Sequence, residues 1–207
     1  NSTNFLSPLN FGSFNPAVYA GDLPDEHLVA IFDADDSRWG VTFFNKLLNP
    51  ATNQIVDFGS VTRFAKFIDF TLSPLTNQNQ SGVNFPVIRY ADILLLYAET
   101  INEISGPAPE AYAAINTVRK RAYAGIAHDL PTTLTQDEFR AAVFLERRKE
   151  FVQEANRWFD LARNGTLVES LKAIPAKANN VSEKNYLFPI PQVEIDMNPL
   201  LTQNSGW

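Results

Sequence analysis

Apolar side chains recur at helical spacing in the second half of the chain, and the longest run lies between Phe139 and Gly165. Thr135 and Glu138 form the S/T-x-x-E pattern of a capping box just before this run, which places the start of a helix at Thr135. The helix is predicted to continue to Asn164, with a bend near Arg147. Its buried face is expected to carry Phe144, Phe151, Ala155, Trp158 and Ala162.

A second helical pattern precedes this one. Arg89–Glu103 and Pro109–Ala122 are predicted helices, and Ser105-Gly106-Pro107 breaks the chain between them. A helix, a tight turn and a helix of about 34 residues resemble one tetratricopeptide repeat, and about three such repeats are usually needed for stability. The residues expected to face inward are Tyr90, Ile93, Leu94, Tyr97, Ala98 and Ile101, then Ala111, Ala114, Ile115 and Val118.

The first 86 residues have a different pattern, rich in aromatic residues, Asn, Ser, Gly and Pro. A helix over Pro24–Ile31 and strands over Arg38–Phe44 and Arg63–Asp69 are the regular elements predicted there. The proline-rich tail Tyr186–Trp207 is predicted to pack onto the helices through Leu187, Phe188, Ile190, Ile195 and Leu200. The predicted class is therefore mainly α, with tetratricopeptide-like helical hairpins, long loop-rich segments and a few short strands.

Charge is dense along the longest helix, from Glu146 to Arg163. Oppositely charged residues three or four positions apart can pair along a helix surface, so a solvated, self-paired face is the expectation for this run. The net charge of the whole chain is −6. Nucleic-acid binding requires clustered Lys and Arg, and the composition argues against it.

Four ordered blocks of residues resemble the SusD/RagB family of nutrient-binding lipoproteins. They are Arg89–Glu99, Ala114–Ala122, Glu146–Arg163 and Tyr186–Trp207. The third reads E-R-R-K-E-F-x-x-E-x-x-R-x-x-D-L-x-R, and the last closes on Gln-Asn-x-Gly before Trp207, where the family more often has Tyr. The family residues expected to form a structural, partly buried network are Arg89, Glu99, Arg119, Glu146, Arg147, Arg148, Glu150, Arg157 and Asp160.

The resemblance implies a division into residues 1–86, an aromatic-rich central segment, and residues 87–207, the helical C-terminal region of one continuous domain. Family members are more than twice this long, so an N-terminal half is expected to be missing and to be a partner of this chain. The resemblance also implies an outer-membrane, cell-surface location, with a signal peptide and lipid-bearing cysteine upstream. A SusC-like TonB-dependent transporter is the implied protein partner.

The motifs of common catalytic chemistry are absent from the sequence. The chain contains no cysteine and two histidines, His27 and His128, and neither lies in a zinc-binding pattern. It also lacks G-x-S-x-G, P-loop and G-x-G-x-x-G motifs. Two of Asp33, Asp35 and Asp36, or Glu99 and Glu103, could be a carboxylate pair for glycoside hydrolysis. The Asp-rich run could also be a Ca²⁺ loop, but a helix or turn cap is the simpler interpretation. We expect no enzyme activity, cofactor or metal.

Binding of an oligosaccharide or polysaccharide is the function that the resemblance implies. Sugar C–H groups lie against aromatic rings, and amide or charged side chains bind the hydroxyl groups. The candidate ligand-binding residues are Tyr19, Trp39 and Phe43, with Asn15, Asp36, Arg38 and Asn45 as polar neighbours. The alternative is a helical protein-interaction scaffold, or a peptide-binding module, without glycan affinity.

Overall fold

The computed structural model describes residues 23–49, 53–67 and 84–207, and within them it confirms the mainly α class. The helices are α1 (Glu26–Ala30), α2 (Arg38–Thr42), α3 (Tyr90–Ser105), α4 (Pro109–Ala122), α5 (Gln136–Glu150), α6 (Asn156–Arg163), α7 (Leu167–Lys172) and α8 (Gln192–Met197). The strands are β1 (Phe43–Phe44), β2 (Lys46–Asn49), β3 (Gln54–Asp57) and β4 (Arg63–Phe64). The chain forms two compact units that divide between Glu154 and Ala155, whereas the predicted boundary at residue 87 stays a prediction.

The segment before α3 contains short helices and two small antiparallel sheets. The predicted helix over Pro24–Ile31 is confirmed as α1, which Asp25 caps by accepting a hydrogen bond from the backbone N–H of His27. The predicted strand over Arg38–Phe44 is wrong for most of its length. The Asp36 carboxylate accepts a hydrogen bond from the Arg38 backbone N–H, an Asx turn that winds the chain into α2 before β1 begins.

The strands pair in two separate ladders. β1 pairs with β4, which places Phe43 opposite Phe64, and β2 pairs with β3 from Lys46 opposite Asp57. The predicted strand over Arg63–Asp69 is confirmed only for β4, and Ile68 and Asp69 lie outside the described residues.

The hairpin of α3 and α4 is the centre of the first unit, and α5 packs against α3. Gly106 ends α3 with a φ of 80°, and Pro109 occupies the first turn of α4. Tyr112 meets Phe139 of α5 edge to face, with the ring centroids 4.8 Å apart. The prediction that Ala111, Ala114, Ile115 and Val118 face inward is confirmed, because all four side chains are buried.

The prediction of which side chains of α3 are buried is partly wrong. The side chains that enter the core are Ala91, Leu95, Ala98 and Asn102. Exposed instead are Tyr90, Ile93 and Tyr97, and Ile104 continues the same stripe. Both faces of this helix are apolar, and the one with alanines allows α4 and α5 to approach closely. Helical spacing alone could not decide between the two faces.

The helix predicted from Thr135 to Asn164 is two helices. Its start is confirmed, because Thr135 is the N-cap of α5 and forms the capping box with Glu138. The helix ends at Glu150, three residues after the predicted bend near Arg147, and Gln153 and Ala155 adopt positive φ angles before α6. Lys66 Nζ and an Arg89 nitrogen donate to the Glu150 backbone carbonyl, at 2.7 and 3.2 Å, and so satisfy a carbonyl at the helix end.

The second unit contains α6, α7, two 3₁₀ turns and α8, with Leu161, Leu167, Val168 and Val181 buried. Leu187, Phe188 and Leu200 are exposed, so the prediction that they pack inward is wrong for Leu187 and Leu200, whereas Phe188 stacks on Trp158 of α6. Side-chain amides and the terminal indole hold the tail instead. The Gln203 side chain bonds both the N–H and the C=O of Ile190, and Trp207 Nε1 donates to the Lys184 carbonyl at 3.2 Å.

The predicted buried face of the long helix is also only partly correct. Phe151 is buried, but Ala155 is exposed, and Phe144, Trp158 and Ala162 are half-buried. Trp158 stacks on Phe188 with the ring centroids 5.8 Å apart. The break after Glu150 resets the helical phase, so the residues of α6 do not continue the face of α5.

Candidate functional site

The charged run at the end of α5 is buried. The side chains of Glu146, Arg147, Lys149 and Glu150 all lie in the interior, and Glu146 is only 1% exposed. The expectation of a solvated, self-paired face is therefore wrong for this part of the run. Buried charges require partners with good geometry, and here the partners come from other segments of the chain.

Arg38 connects the loop-rich segment to α5. Its Nη1 donates to one oxygen of Glu146 at 2.7 Å, while its Nε and Nη2 make a bidentate contact with Asp36 at 2.9 and 2.7 Å. Burial alone would lower the pKa of Arg38, but the hydrogen bonds to Asp36 and the charge of Glu146 raise it above its ordinary value. Arg119 of α4 donates to the second oxygen of Glu146 at 2.8 Å. Glu146 thus joins α2, α4 and α5.

Glu150 is shared by three arginines. Arg121 Nη2 donates to both of its oxygens, at 2.5 and 2.6 Å, Arg89 Nη1 donates at 2.8 Å, and Arg38 Nη1 donates at 3.1 Å. Burial would raise the pKa of Glu150, yet the hydrogen bonds and charges of the arginines outweigh burial and lower it to about 2. This carboxylate is ionised at neutral pH.

Glu154 receives the remaining contacts of Arg89. The Arg89 Nε and Nη2 atoms donate to the two Glu154 oxygens at 2.8 Å each, and Lys66 also pairs with this carboxylate. Burial lowers the pKa of Lys66, and the hydrogen bond to Glu154 offsets part of that shift. Arg89 stands directly before α3, so this contact fixes the start of α3 against the end of α5.

A second group of polar residues surrounds Lys149. Lys149 Nζ donates to Asp33 at 2.9 Å, and the Tyr123 hydroxyl donates to the same carboxylate. These hydrogen bonds lower the pKa of Asp33 to about 2. His128 stacks on the Tyr123 ring, with the centroids 3.9 Å apart, and its Nε2 pairs with Asp35.

These contacts confirm the predicted structural network for Arg89, Arg119, Glu146, Arg147 and Glu150. Arg147 donates to Asp92 of α3 at 2.7 Å, and Arg119 also donates to the His128 carbonyl at 2.7 Å. In the second unit, Asp160 is buried and accepts a hydrogen bond from Arg163. Arg148 is half-buried, and burial lowers its pKa.

A cleft of about 380 Å³ opens beside this network. Its walls come from the α2 region, Lys66, the start of α3, the end of α4 and the end of α5. The described residues that line it are Ser37, Arg38, Val41, Thr42, Lys66, Arg89, Arg121, Ala122, Lys149 and Glu150. Five of these side chains are cationic and one is a carboxylate, which makes the cleft a candidate site for a polar, negatively charged group.

The residues predicted to bind ligand are distributed unevenly. Asn15 and Tyr19 lie outside the described residues. Asp36, Arg38 and Phe43 are buried, so their side chains are taken up by internal contacts. Trp39 and Asn45 are half-buried and keep part of their surface accessible. The role of all seven residues in ligand binding stays a prediction.

Phe43 is the centre of an aromatic cluster. Its ring centroid lies 5.3 Å from that of Phe32, 6.0 Å from Trp39 and 5.7 Å from Phe64. Trp39 therefore packs one side against the core and leaves the rest of its ring at the surface. An amphipathic aromatic with a supported ring is the arrangement that stacks on the apolar face of a sugar.

Sequence reasoning missed Lys66, Arg121 and Lys149 as residues that line a cleft. Arg121 lies in a block that resembles the family, and Lys66 follows the short strand β4, but neither belongs to a motif of binding residues. Pairing with distant carboxylates brings them together, and spacing along the chain does not reveal such pairing.

Metal and membrane sites are not found in the described part of the chain. No group of three or more His, Cys, Asp or Glu side chains is arranged there to hold a metal ion. Among its helices, none combines the length and apolarity that a bilayer span requires.

Comparison with known proteins identifies this helical architecture. The SusD family model matches residues 57–207, and the chain belongs to that family. SusD-like protein P2 of Formosa agariphila is 32% identical over 150 residues, which cover 69% of this chain and 30% of that protein. SusD-like protein P25 of the same organism is 33% identical over 143 residues, covering 67% of this chain and 26% of that protein.

Solved structures show the same fold. A SusD superfamily protein from Parabacteroides distasonis superposes with a TM-score of 0.75 at 26% identity, covering 100% of this chain and 46% of that one. Surface glycan-binding protein A from Bacteroides thetaiotaomicron superposes with a TM-score of 0.64 at 26% identity, covering 88% of this chain and 41% of that one. The chain thus spans less than half the length of these relatives.

Proposed function

We propose that this protein is a cell-surface glycan-binding protein that captures an oligosaccharide or polysaccharide and passes it to a TonB-dependent outer-membrane transporter. Family membership supports this proposal most strongly, together with the fold shared with a surface glycan-binding protein. The proposal includes a lipid anchor and an N-terminal half that this chain does not contain. It assigns binding, not turnover, to the protein.

The buried ionic network supports the proposal by giving the loop-rich segment a rigid base. Arg38 lies in α2, between the aromatic cluster and α5, and its bonds to Asp36 and Glu146 hold that segment on the helices. A binding site built on loops needs such support, because loosely held side chains lose affinity when they are ordered by the ligand. The network is thus proposed to position the binding surface.

Trp39 is the side chain in the described part that we propose as the sugar-stacking platform. Its ring is supported from one side by Phe43 and remains half-exposed. Asn45 lies close in sequence, after β1, and carries an amide that can bind a hydroxyl group. Tyr19 and Asn15 complete the proposed set from outside the described residues.

Binding to a panel of polysaccharides tests the proposal. Affinity electrophoresis of the complete protein against neutral and acidic glycans is expected to give at least one retarded band, and incubation with that glycan is expected to release no shorter products. If no glycan retards the protein, the proposed function is wrong. It is also wrong if shorter products form and the substitution of one Asp or Glu abolishes their formation.

A protein-interaction role without glycan affinity is the second candidate, and the exposed apolar stripe of α3 favours it. Tyr90, Ile93, Tyr97 and Ile104 lie on one side of this helix and are all exposed. Exposed apolar patches of this kind mark surfaces that contact another protein segment. Pull-down of the transporter by a complete protein that binds no glycan on the panel would select this candidate over the first.

A further inference from the structure

The cleft beside α5 concentrates positive charge in a protein whose net charge is −6. Its cationic lining residues come from five separate segments of the chain and are Arg38, Lys66, Arg89, Arg121 and Lys149. Glu150 is the carboxylate among the described lining residues. The positive lining is therefore a local feature that the overall composition does not reveal.

Some carboxylates of the cluster are shared by several cations. Four cations each have a carboxylate of their own: Arg38 with Asp36, Arg119 with Glu146, Arg147 with Asp92, and Lys149 with Asp33. Glu150 and Glu154 then remain for Arg89, Lys66 and Arg121. In this part of the described chain, two carboxylates serve three cations.

Arg121 is the most exposed of these three cations. Its side chain is 57% exposed, whereas that of Lys66 is 20% exposed. One nitrogen, Nη2, donates to both oxygens of Glu150. A guanidinium has five donors in a fixed plane, and within the described residues its Nε and Nη1 atoms have no acceptor within hydrogen-bonding distance. Those donors are the ones that a ligand can use.

We infer that this cleft binds an oxyanion, a carboxylate or sulfate group carried by a sugar residue, with Arg121 as the principal contact and Lys66 beside it. The inference rests on the proposed function and narrows the ligand to an acidic glycan. The volume of about 380 Å³ lies in the range of small-ligand sites and accommodates a single sugar unit.

The chemistry of the wall suits an oxyanion better than a neutral hydroxyl group. Arginine presents parallel N–H donors that match the two oxygens of a carboxylate or sulfate. The carboxylates that neutralise the other cations are buried behind the wall, and the side chains of Asp36, Glu146 and Glu154 are almost inaccessible. An incoming anion therefore meets cations at the surface of the cleft, with the opposing charges set deeper in the protein.

Isothermal titration calorimetry at constant ionic strength tests this inference. Sodium glucuronate and sodium sulfate are the two anionic probes, and glucose is the neutral probe. Calorimetry is preferred to thermal melting, because sulfate stabilises proteins generally by exclusion from their surface. The probe that binds more tightly shows whether the cleft accepts the carboxylate or the sulfate.

Arg121→Gln is the test variant, and Lys120→Gln is its matched control. Lys120 is the preceding residue of α4, has the same charge, is largely exposed and pairs only distantly, at 3.7 Å, with Asp129. The unmodified protein and Lys120→Gln are expected to bind an anionic probe equally, and Arg121→Gln is expected to bind it about tenfold more weakly, as loss of one charge-assisted hydrogen bond predicts. Arg121→Lys, which keeps the charge and loses the planar fork, is expected to give an intermediate affinity.

Other results separate this inference from the proposed function. If neither anion gives a heat of binding, the oxyanion site is wrong. It is also wrong if Arg121→Gln and Lys120→Gln lose the same affinity for the anion. If neutral polysaccharides bind while both anions fail, the inference is wrong and the proposed function stands. If an anion binds through Arg121 while every polysaccharide fails, the oxyanion site stands, and both the proposed function and the acidic-sugar assignment are wrong.

Discussion

Arg38 and Glu146 are 108 positions apart in the sequence, and their side chains meet at 2.7 Å in the interior of the protein. The contact joins the loop-rich segment to α5. Both side chains are also held by further partners, Asp36 for the arginine and Arg119 for the glutamate. Such a fully partnered buried pair fixes one arrangement of the two segments, because either charge alone would be unfavourable in the interior.

Removal of one charge from this pair is expected to destabilise the protein strongly. Glu146→Ala leaves the buried Arg38 and the half-buried Arg119 without their shared carboxylate, and the free energy of unfolding should fall by about 3–5 kcal/mol. Urea denaturation followed by circular dichroism measures the change. Glu103→Ala is the matched control, since Glu103 pairs with Arg140 at the surface, and its effect should be small. Equal effects for the two substitutions would contradict the assignment.

Acid is expected to weaken the protein through Glu150. Its pKa is lowered from an ordinary value of 4.5 to about 2 in the folded state. A group with a lowered folded pKa stabilises the protein above its unfolded pKa, and this contribution is lost as the pH falls from about 4.5 toward 2. Asp33 acts in the same direction, from 3.8 to about 2.

The comparison of the unmodified protein with Glu150→Gln measures this contribution. We expect the variant to be less stable at pH 7, and its stability to fall less steeply between pH 5 and about pH 2.5, in thermal melts recorded at fixed ionic strength. A variant whose acid sensitivity equals that of the unmodified protein would show that the Glu150 pairing does not stabilise the fold.

The orientation of α3 can be tested with two apolar residues on opposite faces. Leu95 is 0% exposed and lies in the core, whereas Ile93 is 52% exposed. Leu95→Ala is expected to lower the free energy of unfolding by about 2–5 kcal/mol, because it leaves a cavity. Ile93→Ala should change stability little. Chemical denaturation of the two variants decides the question, and a larger loss for Ile93→Ala would mean that the face predicted from the sequence is the buried one.

Local signals in the sequence predicted where helices begin and end. The capping box at Thr135 and the break at Gly106 depend on neighbouring residues, and both occur where the patterns place them. These features involve contacts within a few positions, which side-chain chemistry determines directly.

The buried faces were harder to predict, because they depend on distant segments. Glu146 and Glu150 continue the helical spacing of the core residues Phe139 and Val143, so that face of α5 passes from apolar to charged without leaving the interior. Burial of these carboxylates is favourable because arginines of other segments pair with them. The sequence around Glu146 and Glu150 does not predict which arginines these are. Likewise the helix end at Glu150 depends on a carbonyl contact from Lys66.

The candidate ligand-binding residues stay a prediction. Asp36, Arg38 and Phe43 are residue types that suit a sugar site, yet burial assigns them to the ionic network and the aromatic core. The family resemblance predicted the family and its helical region, since it depends on spaced motifs along the chain. Ligand contacts depend on which side chains remain exposed after folding, and a motif does not carry that information.

The most direct test of the account is the affinity of the complete protein for a glycan that it retains, compared between Trp39→Ala and Phe159→Ala. Phe159 is an aromatic of the second unit that is 63% exposed and is not proposed to bind sugar. We predict that Trp39→Ala weakens binding about tenfold in calorimetry, while Phe159→Ala binds like the unmodified protein and both variants remain folded. Unchanged affinity in folded Trp39→Ala, or an equal loss in both variants, would contradict the proposed site.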